Sequence, residues 1–294
     1  MPSGVSNESK FMTDMPPLEH LQLGAFSANQ VLRLVQITDC HLGKQSGERL
    51  VGMDTDSSLD HVLTLIKEEQ PEAHLLLATG DLANHGSAEA YLRLKAKLAP
   101  LGLPYAWLAG NHDRRDLMVD TVGNCLLPRT VRAGRWLIVM MDSAVPGQVG
   151  GELGEQELVY LEQALFAHAD ADYVIACLHH QPIPIGCDWL DEQRLADSNK
   201  LLAILCRESR MRAVLWGHVH QAFSGQDARL PGVQLLSAPS TCVQFAPNTE
   251  GFKLDQMAPG YRWLDLHPNG YIETAVSRLD GVDLAVDYAS QGYK

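Results

Sequence analysis

Residues 31–41, VLRLVQITDCH, decide how this chain is read. A short run rich in Val, Leu and Ile stops at Asp39, and Cys40 and His41 follow. Apolar runs of this length that end abruptly on polar residues suit strands buried on both faces. The same arrangement recurs downstream. HLLLAT (74–79) meets Gly80-Asp81, YAWLA (105–109) meets Gly110-Asn111-His112-Asp113, and WLIVMM (136–141) meets Asp142-Ser143. YVIACL (173–178) meets His179-His180, and AVLW (213–216) meets Gly217-His218-Val219-His220.

Stretches with helical spacing separate these runs. Leu59, Val62, Leu63 and Ile66 mark a helix over 57–69 behind a Ser/Asp-rich start, and Ser87 is the expected N-cap of a second helix to Leu98. Residues 155–167 and 190–207 complete the set. Alternating strands and helices predict an α/β fold, a two-sheet β-sandwich flanked by helices. After His220 come short strand-like runs, VQLLSA, YRWLDLH and YIETAVSRL, which suggest a second, more antiparallel sheet. Residues 31–280 are expected to form a single domain, with a flexible polar leader over 1–30 and a tail over 281–294.

With 294 residues, 46% of them hydrophobic, the chain can bury a sizeable core. Its 23 basic and 36 acidic residues leave a formal charge of −13, which argues against a nucleic-acid or anionic-membrane partner. An anionic substrate remains compatible, because bound cations reverse the field within one pocket. Six cysteines lie far apart and form no CxxC pair, as expected of reduced, mostly packed thiols in a cytoplasmic protein. No stretch approaches the ~18 apolar residues of a membrane span. The N-terminus has neither the basic start nor the apolar run of a secretory signal. Monomer and homodimer both stay open.

Ligands bind open α/β sheets at the carboxyl ends of strands. Here such ends carry Asp39, Asp81, Asn111, His179 and His218. In Asp39-x-His41 and His218-x-His220, an extended exit would turn residues i and i+2 the same way, toward one metal. Gly80 lets the backbone turn sharply and bring Asp81 into the cleft. Asp, Asn and His without a thiolate suit divalent ions such as Mn²⁺, Fe²⁺ or Zn²⁺, and seven ligands suit two ions sharing a carboxylate. Taken singly, each pair has an ordinary explanation as a polar turn or a packed histidine. In this order, each behind an apolar run, they point to one site.

The ordered set Asp39-x-His41, Gly80-Asp81, Gly110-Asn111-His112-Asp113, His179-His180 and Gly217-His218-x-His220 resembles the calcineurin-like metallophosphoesterase superfamily over residues 31–275. The runs His179-His180-Gln-Pro182-Ile-Pro184, 237–245 (SAPSTCVQF) and 258–263 (APGYRW) are similar to those of bacterial class III cyclic nucleotide phosphodiesterases, which hydrolyse 3′,5′-cyclic AMP. The resemblance implies one metal on Asp39, His41, Asp81 and His220, and a second on Asp81, Asn111, His179 and His218. It implies His112 as the catalytic histidine, and substrate contacts from His41, Asn111, His112 and His220. Two divalent ions are implied, Fe²⁺ and/or Mn²⁺ foremost, with Zn²⁺, Co²⁺ or Mg²⁺ as alternatives. Many members carry an acid three residues after the Gly-Asp aspartate; here Asn84 stands there, so Asn84, Asp113 or Asp116 would have to orient His112.

Two such ions bring a bridging water to a pKa near neutrality and offset charge on the phosphate. His112 could then protonate the leaving ribose oxygen of cyclic AMP. Another phosphodiester or a phosphomonoester is the alternative substrate, and a metal-poor interaction module is a more distant reading. Trp189, Trp216, Phe223 and Phe245 could stack on a purine, although core packing is the commoner role of such residues.

Overall fold

A computed structural model of the chain describes residues 20–292 except 25 and 28. The expected two-sheet sandwich with outer helices is observed. One sheet has the order Ile272–Arg278, Gly260–Leu266, Leu32–Ile37, Leu75–Thr79, Tyr105–Leu108. Its last three strands are parallel, with Ile37 opposite Ala78 and Thr79 opposite Leu108. The other has the order His20–Gln22, Thr130–Ala133, Trp136–Met140, Tyr173–Cys177, Met211–Trp216, Gln234–Ser237, Phe223–Gly225, and is parallel from Trp136–Met140 to Gln234–Ser237.

Burial on both faces explains the unbroken apolar runs. Leu34, Leu75 and Leu77 of the first sheet meet Ile138, Ile175 and Leu215 of the second in a core between the sheets. Their neighbours Val35, Ile37 and Leu76 point the other way, under helices Thr55–Glu69 and Ala88–Leu98. Val139, Val174 and Val214 likewise lie under helices Gly154–Ala167 and Ser198–Leu205. The layers therefore run helix, sheet, sheet, helix.

Two expectations are corrected. Of the C-terminal runs only Gln234–Ser237 joins the second sheet; Gly260–Leu266 instead pairs antiparallel with Leu32–Ile37 of the first, and Ile272–Arg278 pairs with it in turn. That hairpin covers an edge that the parallel strands alone would leave open. The helix expected over 190–207 is split into Asp188–Asp191 and Ser198–Leu205. Between them, Ala196 N–H donates to Gly151 O, and the Asp197 carboxylate accepts from Leu153 and Gly154 N–H at 3.0 and 2.9 Å. The break thus supplies acceptors to the start of the neighbouring helix.

Residues 1–19 of the expected leader lie outside the described residues, and His20–Gln22 pairs with Thr130–Arg132. In the expected tail, Leu284 and Val286 pack on the core and Asp287 N–H donates to Val51 O. All six cysteines are free thiols, four of them buried. No described helix is long and apolar enough to cross a membrane.

Candidate metal centre

The strand ends converge where the two sheets meet. Asp39, Asp81 and Asn111 follow strands of the first sheet, and His179 and His218 follow strands of the second. The side chains form one cluster. His41 Nε2 lies 3.1 Å from His220 Nε2, and His220 Nε2 lies 3.5 Å from Asp39 Oδ1. On the other side, Asn111 Oδ1 sits 3.2 Å from His179 Nε2 and 3.0 Å from His218 Nδ1. Asp81 Oδ2 stands between the halves, 3.6 Å from His41 Nε2 and 3.4 Å from His179 Nε2. All seven sequence candidates are therefore brought together.

The backbone holds them differently from expectation. Asp39 and His41 do not leave their strand extended; both adopt left-handed conformations (φ 53° and 45°), as do Asp81, His218 and His220. These are five of the seven non-glycine residues with positive φ among the described residues. Each costs about 1 kcal/mol or more, and such strain persists only where the surroundings impose it. Here Asp39 N–H donates to Gly80 O and His41 N–H to Asp81 O, both at 2.9 Å, binding the first two loops to each other. Gly80 itself has φ 99°, and a Cβ there would stand 2.2 Å from His179 Nδ1. At Gly110 a Cβ would stand 2.2 Å from Asp81 Oδ1.

Second partners assign the imidazole protons. Nδ1 of His179 donates to Thr79 O at 2.8 Å, Nδ1 of His220 to Val243 O at 2.7 Å, and Nδ1 of His41 to Asn84 Oδ1 at 3.2 Å. In the neutral ring, Nε2 then carries the lone pair. The Nε2 atoms of His41 and His220 thus aim lone pairs at one small volume, an arrangement that a cation satisfies. His218 Nε2 is buried with no hydrogen-bond partner. Donor atoms of Asp39, His41 and His220, and of Asp39, Asp81 and His179, lie within 4.8 Å of one another. The donor set fits two divalent ions.

The electrostatics point the same way. Burial, joined by the Asp81 charge and opposed by His179, pushes Asp39 up to about 7. Burial also works to raise Asp81, but His179, His112 and His41 outweigh it and hold this carboxyl well below its usual range. Burial works to lower His179, yet Asp81 and Asp39 together lift it to about 9. His41 and His218 are pressed well down by burial and by neighbouring imidazoles, and burial takes His220 down to about 4. Burial keeps His41, His218 and His220 neutral, while Asp39 and Asp81 draw positive charge into the pocket, as the raised His179 shows and as a cation would satisfy.

His180 is built differently from His179. Its Nδ1 lies 2.8 Å from Ser143 Oγ and its Nε2 3.0 Å from Val149 O, so both nitrogens are engaged by the protein. Its nitrogen also falls within reach of His179 and His218, but those two bonds argue against ligation. His112 is half-buried, and its N–H donates to Asp81 Oδ1 at 2.8 Å. Its Nδ1 donates to the main-chain carbonyl of Asn84 at 2.8 Å. Neither the Asn84 side chain, which serves His41, nor Asp116, which pairs with Arg114 at 2.9 Å, orients it. Asp113 instead staples two loops, accepting from Leu82, Ala83 and Gly110 N–H and from Tyr91 O–H.

A cleft of about 560 Å³ opens beside the cluster, walled by Asn111, His112, Arg115, Asp142, Val145 and Pro146. Sequence reading marked Asp142 as the end of an apolar run without placing it in this wall, and nothing local marks Arg115. Trp216 and Phe245 are buried, and with the partly buried Trp189 and Phe223 they belong to the core, as expected of large aromatics.

The chain is 45% identical to a 3′,5′-cyclic adenosine monophosphate phosphodiesterase, CpdA, of Pseudomonas aeruginosa over 88% of its length and 94% of that protein's. It is 40% identical to its Escherichia coli K12 counterpart, covering 89% and 95%. A dimetal phosphatase from Danio rerio shares the fold with a TM-score of 0.60 at 13% identity, covering 84% of this chain and 99% of that one. Residues 32–222 match the calcineurin-like phosphoesterase family, and with both sheets and their strand-end donors in place the chain belongs to that family.

Proposed function

We propose that the protein hydrolyses 3′,5′-cyclic AMP to 5′-AMP with two divalent metal ions, one on Asp39, His41, Asp81 and His220 and one on Asp81, Asn111, His179 and His218. The observation that carries this reading is the position of Asp81 Oδ2, between two halves of one buried donor cluster that borders a cleft. The name of the 45%-identical relative supports the cyclic nucleotide as substrate. Such ions supply an activated water near neutral pH and offset the charge of the phosphate.

The chain's own residues do the rest. His41, Asn111, His112 and His220 face the phosphate. His112 has its Nδ1 committed to Asn84 O, so proton transfer falls to Nε2. Water adds to phosphorus and releases one proton to solvent, the P–O3′ bond breaks, and a proton from His112 Nε2 goes to the leaving 3′ oxygen; His112 then recovers a proton from solvent. Fe²⁺ and/or Mn²⁺ are the ions we assign; the nitrogen and oxygen donors suit them, as they also suit Zn²⁺, Co²⁺ or Mg²⁺. Residues 31–280 act as one catalytic domain, to which both sheets contribute ligands. The protein works in the cytoplasm, a placement that its free cysteines support.

Incubating metal-loaded enzyme with cyclic AMP and separating the products tests the proposal. Accumulation of 5′-AMP is expected. Cleavage of bis(p-nitrophenyl) phosphate without turnover of cyclic AMP would overturn the substrate and leave a related phosphodiesterase.

A further inference from the structure

The segment Ser237–Phe245 carries no residue of the candidate centre, yet it touches that centre repeatedly. Ser240 Oγ donates to the carbonyl of Asp39 at 2.8 Å, and the Cys242 thiol to the same oxygen at 3.3 Å. Thr241 N–H donates to Thr38 O at 3.1 Å. Val243 O accepts the Nδ1 proton of His220, and Phe245 N–H donates to His220 O at 3.2 Å. The Phe245 ring stacks on the His220 imidazole with centroids 4.1 Å apart and planes 14° apart. All of these contacts except the one to Thr38, the residue before Asp39, bear on a strained ligand: Asp39 and His220 both have positive φ.

The segment is itself braced. Gln244 Nε2 donates back to Ser240 O and Cys242 O, and Arg278 holds Gln244 Oε1 at 3.1 Å. Ser58 Oγ donates to Thr241 O at 2.6 Å, and Arg262 Nε to Ser237 O at 3.0 Å. The other half of the centre takes its bonds from different places. His179 is aimed by Thr79 O, and Asn111 Oδ1 sits against His179 and His218.

We infer that Ser237–Phe245 is a positioning segment for the Asp39–His41–His220 half alone, and that it sets the affinity of one ion separately from the other. The inference rests on the dinuclear reading above. Bonds to ligand residues from outside the coordination sphere fix tautomer and ring orientation, and removing them typically weakens metal binding about 10–100-fold.

The test measures Mn²⁺ affinity by equilibrium dialysis with elemental analysis, in two one-ion backgrounds. In His179→Ala protein, where the Asp39 half holds the remaining ion, Ser240→Ala and Phe245→Leu should each weaken binding about tenfold or more. In His220→Ala protein, where the other half holds it, they should change affinity by less than about twofold. Ser240→Thr should restore most of the loss in the first background. Equal weakening in both backgrounds, or none in either, overturns the inference. Should Phe245→Leu fail to fold, Ser240→Ala decides alone. Wild-type protein that binds fewer than two ions refutes the dinuclear reading instead.

Discussion

His112 shares with His179 and His220 an Nδ1 spent on a main-chain carbonyl, but it is half-buried and walls the cleft, whereas those two are buried within the donor cluster. His112→Ala should therefore lower kcat by about 10²–10⁴-fold and leave two ions bound, checked by turnover and elemental analysis side by side. Loss of both ions would show that it is a ligand. His180 supports a different prediction. Burial, with His179 adding to it, takes its pKa down to about 3, below the ~6.5 of an exposed imidazole. The unfolded chain therefore binds the extra proton between about pH 6.5 and 3. Stability from this residue is complete above that window and is lost as pH falls through it. In chelated protein, His180→Asn should make unfolding free energy depend less steeply on pH there, read from denaturant titrations. An unchanged slope would contradict this.

Loops, more than strands, are what the polar residues hold together. Asp113 accepts three main-chain N–H groups from the two loops that carry Asp81 and Asn111. Removing it leaves those donors without an acceptor in a half-buried place, which costs about 3 kcal/mol. Asp113→Ala should lower stability by about that amount in chemical denaturation, and Asp113→Asn by less, because one oxygen acceptor survives. A change below about 0.5 kcal/mol would mean that water replaces the carboxylate. The split helix near 192–197 follows the same logic: Ala196 gives its main-chain N–H to Gly151 O, so the helix bond it would make within its own turn is not formed. Periodicity counted the apolar residues correctly and could not register that competing hydrogen bond.

Across the whole molecule, one buried guanidinium joins the layers. Arg262 leaves the first sheet to donate to Ser237 O, Phe223 O and Ser224 Oγ near the edge of the second. Burial lowers its pKa to about 10, so it stays charged at neutral pH. Arg262→Met should destabilise the protein by about 2–4 kcal/mol, since it leaves several buried acceptors unpaired. The metal ions add a second global term. They bind the folded chain, so a free concentration 100 times Kd stabilises it by about 2.7 kcal/mol per site. Chelation should accordingly lower the melting temperature, and added Mn²⁺ should raise it again. A melting temperature indifferent to both would count against a centre built from both sheets.

The local character of the chain was legible in the sequence because each signal was short-range. Apolar runs ended by Asp39, Asp81, Asn111, His179 and His218 announced buried strands with donors at their tips. What needed the tertiary structure was everything decided by chain segments that meet only after folding. The C-terminal hairpin joined the first sheet because an edge was open there. The replacement for the missing acid at Asn84 was a backbone carbonyl, which every residue possesses and no sequence displays. The strained φ of five donor residues arose from bonds between loops far apart in sequence. Residue type chose the donors; packing between the sheets chose the directions in which they point.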